Sequence, residues 1–474
     1  MQRSEFKIVI CGGGLAGLMT TLALGSALGK QYEITLIDDR TAADADIGYG
    51  SVTSPTAYDF LRGLGLDEPR LFSKSATSFS FGTDYVDWPG TSQSWTQCHH
   101  QILPLLDGVP LQQHLTRNQR PLAPLLISGI AARQGKFAHP PEDPDNPLSR
   151  AEYGYQFSVT EWAHLLTEFL PASRVKRLEV QVQSVTVERG KISELVLASG
   201  ETVAGDLFID CSGPHRLLAT AFKVSFEGSR TISLTHAEQA TDTIGLPCRN
   251  VTANAEGWVA QTHLQNSVHT LRVGHASDLS GATALKLGGL TSAWVENMVA
   301  IGIAASAHDP LTPGPMVMLQ RDIERLLDLV PITLDFEIER REYNRRYQDD
   351  LAHTNMFADA FYISNEEQSV FWSDAKAASH SEGLSRKIVQ FESRGILAKY
   401  DLEPFNDEDW TILHHGLGRR AARYDLQADA SPKPMIDQQL DALSRAIEQL
   451  VARMPPHHLY VANMKRYFEK QQYV

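Results

Sequence analysis

Lys7–Cys11 (KIVIC) is a short apolar run, and Gly12–Gly17 interrupts it with glycines. Leu18–Leu28 then carries apolar residues at helical spacing, and Glu33–Asp38 (EITLID) is a second strand. Strand, glycine turn, helix and strand make one βαβ unit. Ala57–Leu64 reads as a helix, and the alternating Ser78–Trp88 as a strand. Residues 90–150, rich in Pro, His and Gln, read as irregular, with a loop at His139–Pro147. Glu161–Phe169 predicts a helix. Val175–Glu188, Lys191–Leu197, Thr202–Cys211, Trp258–Gln265 and Thr270–Gly274 predict strands, with Gly200 in a hairpin-like turn. Val295–Ala307 starts polar and becomes a run of small apolar residues. Met316–Leu329 predicts a long helix, and the chain is mostly helical from about residue 335. Breaks are expected near Gly383, Gly416–Gly418 and Pro455–Pro456. The order predicts an α/β fold: a GxGxxG nucleotide-binding core built discontinuously, plus a mainly helical C-terminal part.

Composition narrows the function classes. The 474 residues are 42% hydrophobic and 21% charged, which excludes a disordered or fibrous chain. A net charge of −14 argues against general nucleic-acid binding and against an anionic membrane surface. Cys11, Cys98, Cys211 and Cys248 are scattered, with no CxxC pair and no zinc spacing, so no metal is expected. No apolar run reaches the roughly 18 residues of a membrane span. The N-terminal stretch lacks signal-peptide architecture, so a cytoplasmic location is expected.

The glycine turn carries the first chemistry. Gly12-Gly13-Gly14-Leu15-Ala16-Gly17 satisfies GxGxxG between strand and helix, and Asp38 ends the next strand 21 residues after Gly17. Gly12 allows the tight turn, Gly14 lets backbone approach a pyrophosphate, and Gly17 lets helix and strand pack closely. The helix start offers free N–H groups to phosphate, and an acid at Asp38 suits an unphosphorylated ribose, hence FAD or NAD. A dehydrogenase would continue at once with further βαβ units. Here the sheet resumes only near Val175, and the late segments DLFIDCSG (206–213) and AIGIAASAHDPLTPG (300–314) complete it, as in large FAD enzymes.

Several ordered motifs now resemble the flavin-dependent tryptophan halogenase family, within the FAD oxygenase superfamily related to p-hydroxybenzoate hydroxylase. Gly12–Gly17 is similar to the family's GGGxAG, and Gly48–Pro55 (GYGSVTSP) to its flavin-covering GVGEATIP loop. Ala76–Trp88 resembles ATFKxGIxFxxW. Gly154–Phe157, DLFIDCSG, Trp294–Ala305, Phe371–Trp372 and Met454–His457 also have counterparts. The resemblance implies FAD held by Gly12, Gly13, Gly14, Leu15, Ala16, Gly17, Asp38, Gly48, Val185, Gly213 and Ile303. It also implies reduced FAD delivered by a separate, transient flavin reductase. In the family, reduced FAD and oxygen convert halide to hypohalous acid, which a lysine and a glutamate direct onto an aromatic substrate.

The reactive positions depart from that pattern. The family lysine falls on Ser80, and Lys74, six residues away, lies roughly 20 Å off along an extended strand. The family glutamate falls on Thr312. Two successive backbone N–H groups that hold halide match Gly314 and Pro315, and proline has no N–H. The tunnel motif WxWxIP becomes Trp258-Val-Ala260-Gln-Thr262-His263. Ser80, Thr312 and His263 are therefore the catalytic candidates, His263 as a base or substrate hydrogen-bond partner, with cavity-lining or structural roles as the alternative. His308 is read as structural. His99–His100, His414–His415 and His457–His458 are read as loop histidines, and Arg340–Arg346 as a solvated helix face.

The reading is an FAD-dependent enzyme that oxygenates a small aromatic or carrier-bound substrate. An authentic halogenase with rearranged catalytic groups and a non-catalytic flavin-binding partner are the alternatives. A homodimer stays open. The expected division is an FAD framework (1–65, 150–220, 290–332), a substrate-side sheet with loops (66–149, 221–289) and a helical C-terminal substrate part (333–474).

Overall fold

The computed structural model describes residues 6–91, 93–275, 280–363 and 369–470. The glycine turn follows an inner strand of a six-stranded sheet. Its order is Trp294–Val295, Met298–Ala300, Leu207–Asp210, Phe6–Cys11, Tyr32–Ile37 and Val175–Leu178. All neighbours are parallel except the first pair. Ile8 stands between Leu207 and Ile34, and the central strands are buried on both faces, which is why they read as unbroken apolar runs. The helix Leu15–Ala27 is buried from Leu15 to Gly25, because it lies on the sheet and also against the helices Val159–Phe169 and Gly314–Asp328. That explains a helix apolar on every side.

A second sheet of eight strands carries the substrate side. Its order is Ser306–Ala307, Thr283–Leu290, Phe226–Ala240, Ser267–Gly274, Gly257–His263, Arg249–Asn254, Gly82–Val86 and Trp95–Cys98. Its last strand is covered by Asp407–Gly416 and Ile127–Arg133, and Lys433–Arg453 packs beyond them. The fold is mixed α/β with a helical C-terminal part. Among the described residues no helix is long and apolar enough to cross a membrane.

The structure differs from the sequence pattern in several places. Thr202–Cys211 divides into Thr202–Ala204 and Leu207–Asp210 in two sheets, and residues 90–150 hold the helices Leu111–Asn118 and Ile127–Arg133. Ser78–Trp88 is two strands, Ser78–Ser80 and Gly82–Val86, in two different sheets. Gly82 makes the switch: at φ +152° a Cβ there would sit 2.2 Å from the Gln97 carbonyl oxygen. Val175–Glu188 divides likewise, Val175–Leu178 closing the parallel sheet and Val182–Glu188 opening a three-stranded antiparallel one. Period-two alternation marks a face but not a pairing partner. The 15-residue strand Phe226–Ala240 gave no signal, because only Ile232, Ser233 and Leu234 within it are buried. Gly383 lies inside the helix Glu382–Arg394. The break falls just before it, where the Ser381 side chain caps the Leu384 N–H.

Candidate active site

The nucleotide cleft is built by backbone proximity. At Gly12 (φ +119°) a Cβ would lie 2.3 Å from the Cys211 oxygen, and at Gly17 one would lie 1.8 Å from the Gly12 oxygen. No side chain fits at either point, so the turn, the helix and the strand Leu207–Asp210 close on one another. The resulting cleft is narrow. Its lining is small: Gly14 and Ala16 on the helix side, Ala42 and Ala43 opposite, Ser212 and Gly213 at one end, Ile303 at the other. Gly14, the N-cap, has no side-chain partner, and the next N–H, Leu15, donates to Asp46 Oδ2 at 2.8 Å. A glycine cradle of small residues at a helix start, already holding a carboxylate, fits a pyrophosphate-bearing cofactor.

Two expected cofactor residues are not among the cleft's lining side chains. Asp38 is buried against the glycine turn, where a Cβ at Gly13 would lie 1.6 Å from its Oδ1, and Arg40 Nε donates to its Oδ1 and Arg177 Nε to its Oδ2, both at 2.8 Å. Its neighbour Asp39 lines the cleft. One residue along an extended chain reverses the side-chain direction. Val185 belongs to the three-stranded sheet, paired with Leu195 and away from the cleft lining. Gly48 is buried beside the cleft, where a Cβ would meet Leu285 at 3.0 Å and Ile303 at 3.5 Å.

A second, small cavity lies between the two sheets' loops. Ser54, Thr312 and Pro313 form the side toward the nucleotide fold. Tyr85, His99 and His100 come from the eight-stranded sheet, and Phe357 and Phe405 from the helical part. No lysine and no glutamate lines it. His99 is 5% exposed, with Nε2 3.3 Å from Ser80 Oγ, and Ser80 Oγ donates to the Gly82 carbonyl at 3.0 Å. Burial, reinforced by the charges of His100 and Arg249, pushes His99 down to about 3, so the ring is neutral.

The segment carrying Thr312 is clamped from beneath. Arg249, fully buried, donates to the carbonyls of Gly50 at 3.0 Å, Pro310 at 2.8 Å and also Leu311. The Tyr85 hydroxyl donates to Leu311 O at 2.9 Å. Asp309 pairs with Arg230 and accepts from the Tyr362 hydroxyl at 2.8 Å, and Trp258 Nε1 donates to that hydroxyl at 3.1 Å. His308 bonds Asn355 and Ser306 at 2.9 Å, and burial pushes it down to about 4, which suits a structural role.

The start of the helix Gly314–Asp328 has no spare donor. Gly314 N–H donates to Thr312 Oγ1 at 3.2 Å, and Pro315 has no N–H. The Met316 and Val317 N–H groups both donate to Pro313 O at 3.1 Å.

Of the three catalytic candidates, Thr312 lines this cavity and Ser80 stands behind His99. His263 does neither. On Gly257–His263 the side chains of Trp258, Ala260 and Thr262 are the buried set, and His263 is on the opposite face. Its Nε2 is bonded to Asn250 Oδ1 at 3.0 Å, and its own N–H donates to Gln156 Oε1 at 3.0 Å. It is a strand histidine with its partners inside the fold, not a cavity base. His99 and His100, expected in a loop, are the imidazoles that reach the cavity. The sequence carried little signal for this, since the strand that ends just before them, Trp95–Cys98 (WTQC), mixes apolar and polar residues although all four are buried. The four cysteines are free and buried, and burial pushes the Cys98 thiol up to about 12, so they act as core residues. No group of three or more His, Cys, Asp or Glu side chains able to hold a metal occurs among the described residues.

A glycine-cradled nucleotide cleft joined to a mainly antiparallel substrate sheet and a helical cover defines the fold of the flavin-dependent halogenases. The tryptophan halogenase family profile matches residues 7–433, and the chain belongs to that family. It is similar to the tryptophan 6-halogenase SttH of Streptomyces toxytricini (23% identical; 98% of this chain, 99% of the relative). It is also similar to the tryptophan 7-halogenase KtzQ of Kutzneria sp. (25%; 82% and 81%). Among solved structures, BrvH, a flavin-dependent halogenase from Brevundimonas sp. BAL3, superposes with a TM-score of 0.88 at 24% identity, covering 96% of this chain and 98% of that one. Xcc4156, a flavin-dependent halogenase from Xanthomonas campestris, superposes with the same score at 25%, covering 97% and 98%.

Proposed function

We propose that this family member is an FAD-dependent monooxygenase of aromatic substrates, working with reduced flavin from a separate reductase in the cytoplasm. One observation carries the departure from halogenation. The two backbone positions matching the family's halide site offer no free donor, since Thr312 Oγ takes the Gly314 N–H and Pro315 has none. A buried anion without donors is costly. The absence of lysine from the cavity lining supports the same reading, and the one acid lining it, Asp409, is engaged by the His100 and Asn406 backbone N–H groups.

The cofactor residues proposed are Gly12, Gly13, Gly14, Leu15, Ala16, Gly17, Gly48, Gly213 and Ile303, with Asp39 as the acid facing the cleft. The framework they define draws on segments 1–65, 150–220 and 290–332. Bound there, reduced FAD would supply electrons for activating oxygen. The chain's own residues do the rest. The Phe357 and Phe405 rings, stacked on each other with centroids 3.9 Å apart, form an apolar wall that excludes water. The bond to Ser80 fixes the His99 ring, which offers a neutral hydrogen-bond partner to a phenol hydroxyl or an indole N–H. The Arg249 clamp keeps Thr312 facing the substrate.

The test is turnover with a flavin reductase, NADH and a panel of phenols and indoles, with isotope-labelled oxygen, with and without bromide or chloride. Labelled, oxygenated product at unchanged yield without halide is expected. Strict halide dependence of product refutes the proposal. Peroxide alone across the panel would favour a non-catalytic flavin-binding partner.

A further inference from the structure

The nucleotide cleft already contains an anion, and it belongs to the protein. We infer that the Asp46 carboxylate is an internal competitor for the cofactor's pyrophosphate, so that flavin binds tightly only when this side chain is uncharged or displaced. The inference rests on the FAD reading above and adds a residue that sets cofactor affinity.

Three observations converge. The helix Leu15–Ala27 has no side-chain cap of its own, and the Leu15 N–H is bonded to Asp46 Oδ2 at 2.8 Å. That is the donor a phosphate would use. A Cβ at Gly14 would lie 2.7 Å from Asp46 Oδ2 and 3.1 Å from Oδ1, so the carboxylate rests on the spot the glycine leaves open for a ligand. The same short segment, Ala43–Tyr49, sends the Tyr49 hydroxyl to accept the Ile303 N–H at 3.2 Å, so a second N–H of the cleft is also satisfied from within.

The charges around Asp46 do not neutralise it. Arg40 is the cation that acts on it, and that guanidinium is already paired with Asp38. Asp39 lines the same cleft as a further acid, and Tyr49 and Cys211 face it as neutral groups. A dianionic pyrophosphate would thus meet a carboxylate at its best donor. Burial raises Asp46 to about 7, with the Leu15 N–H and Arg40 opposing, so its charge changes within the physiological range.

If only the protonated form admits the cofactor, the competent fraction at about pH 8.5 is roughly 3%, and the apparent Kd there is about 30-fold weaker than at about pH 6. FAD affinity is read directly, by quenching of flavin fluorescence on titration with the apoprotein, for wild type and Asp46→Asn. Asn keeps an oxygen acceptor for Leu15 but cannot ionise. The wild-type Kd is expected to rise steeply with pH, while Asp46→Asn stays tight and flat. Asp46→Ser, a good capping residue without charge, should behave like Asp46→Asn and covers a folding failure of the first variant. Parallel pH profiles for wild type and both variants overturn the inference while leaving the FAD reading intact. No flavin binding by any of the three proteins at either pH overturns the FAD reading, and this inference with it.

Discussion

Thr312→Val combined with Pro315→Ala should create a halide site that the native chain lacks. Thr312 is 1% exposed, and its Oγ1 accepts the Gly314 N–H at 3.2 Å. Valine keeps the shape and releases that N–H, while alanine at 315 restores a second. Each hydrogen bond to a charged group contributes about 1.5–3 kcal/mol, so two adjacent donors are worth roughly 3 kcal/mol or more after non-additivity, a gain of at least about 100-fold in halide affinity. The cost in stability has two parts: the Gly314 N–H left unpaired in the halide-free protein costs about 1–3 kcal/mol, and losing proline at the first turn frees the unfolded chain by about 0.4–1 kcal/mol. Bromide titration by calorimetry on wild type, each single variant and the double variant reads the effect. The singles should bind bromide weakly and the double variant most tightly. Wild-type binding as tight as the double variant's would mean that donors from elsewhere hold the anion, and the argument against native halogenation would fail.

Other expectations follow from the same geometry. Asp309→Asn removes the charge partner of buried Arg230 and should destabilise by about 3–5 kcal/mol in denaturant unfolding. The double variant with Arg230→Met should recover part of that loss. Gly17→Ala places a methyl against the Gly12 carbonyl and should abolish flavin binding while lowering the melting temperature. His99→Phe should raise KM for hydroxylated or N–H-bearing rings more than it lowers kcat, and an effect on kcat alone would contradict a positioning role. Asp46 keeps its proton to about 7 in the fold but loses it near 4 when unfolded, so the folded state binds the extra proton between those values. Stability should therefore fall as pH rises through that window, by about 2–4 kcal/mol from this group, and Asp46→Asn should remove that slope in urea unfolding.

Much of the nucleotide half was legible because its signals are local. Gly12, Gly14 and Gly17 occur at a spacing that only a strand–turn–helix satisfies, and the strands around them are buried on both faces. Side-chain direction was less legible. Asp38 ends the strand where a ribose acid belongs and lies against Gly13, yet Arg177, from a strand more than a hundred residues later, pairs with its carboxylate, and Asp39 joins the cleft lining.

The substrate half depends on contacts between distant segments. His263 and His99 both stand at the end of a strand in one sheet, but only the strand's facing decides that His263 bonds Asn250 while His99 meets Ser80 and the cavity. The sequence alone determined the family, the glycine cradle, and the absence of lysine at 80, glutamate at 312 and an N–H at 315. Those are properties of residue identity and spacing. Only the tertiary structure decided that Thr312 consumes the remaining donor at Gly314 and that Asp46 reaches back 31 residues to the helix start. A hydrogen bond depends on where two groups meet, and the packing of loops from separate sheets sets that meeting.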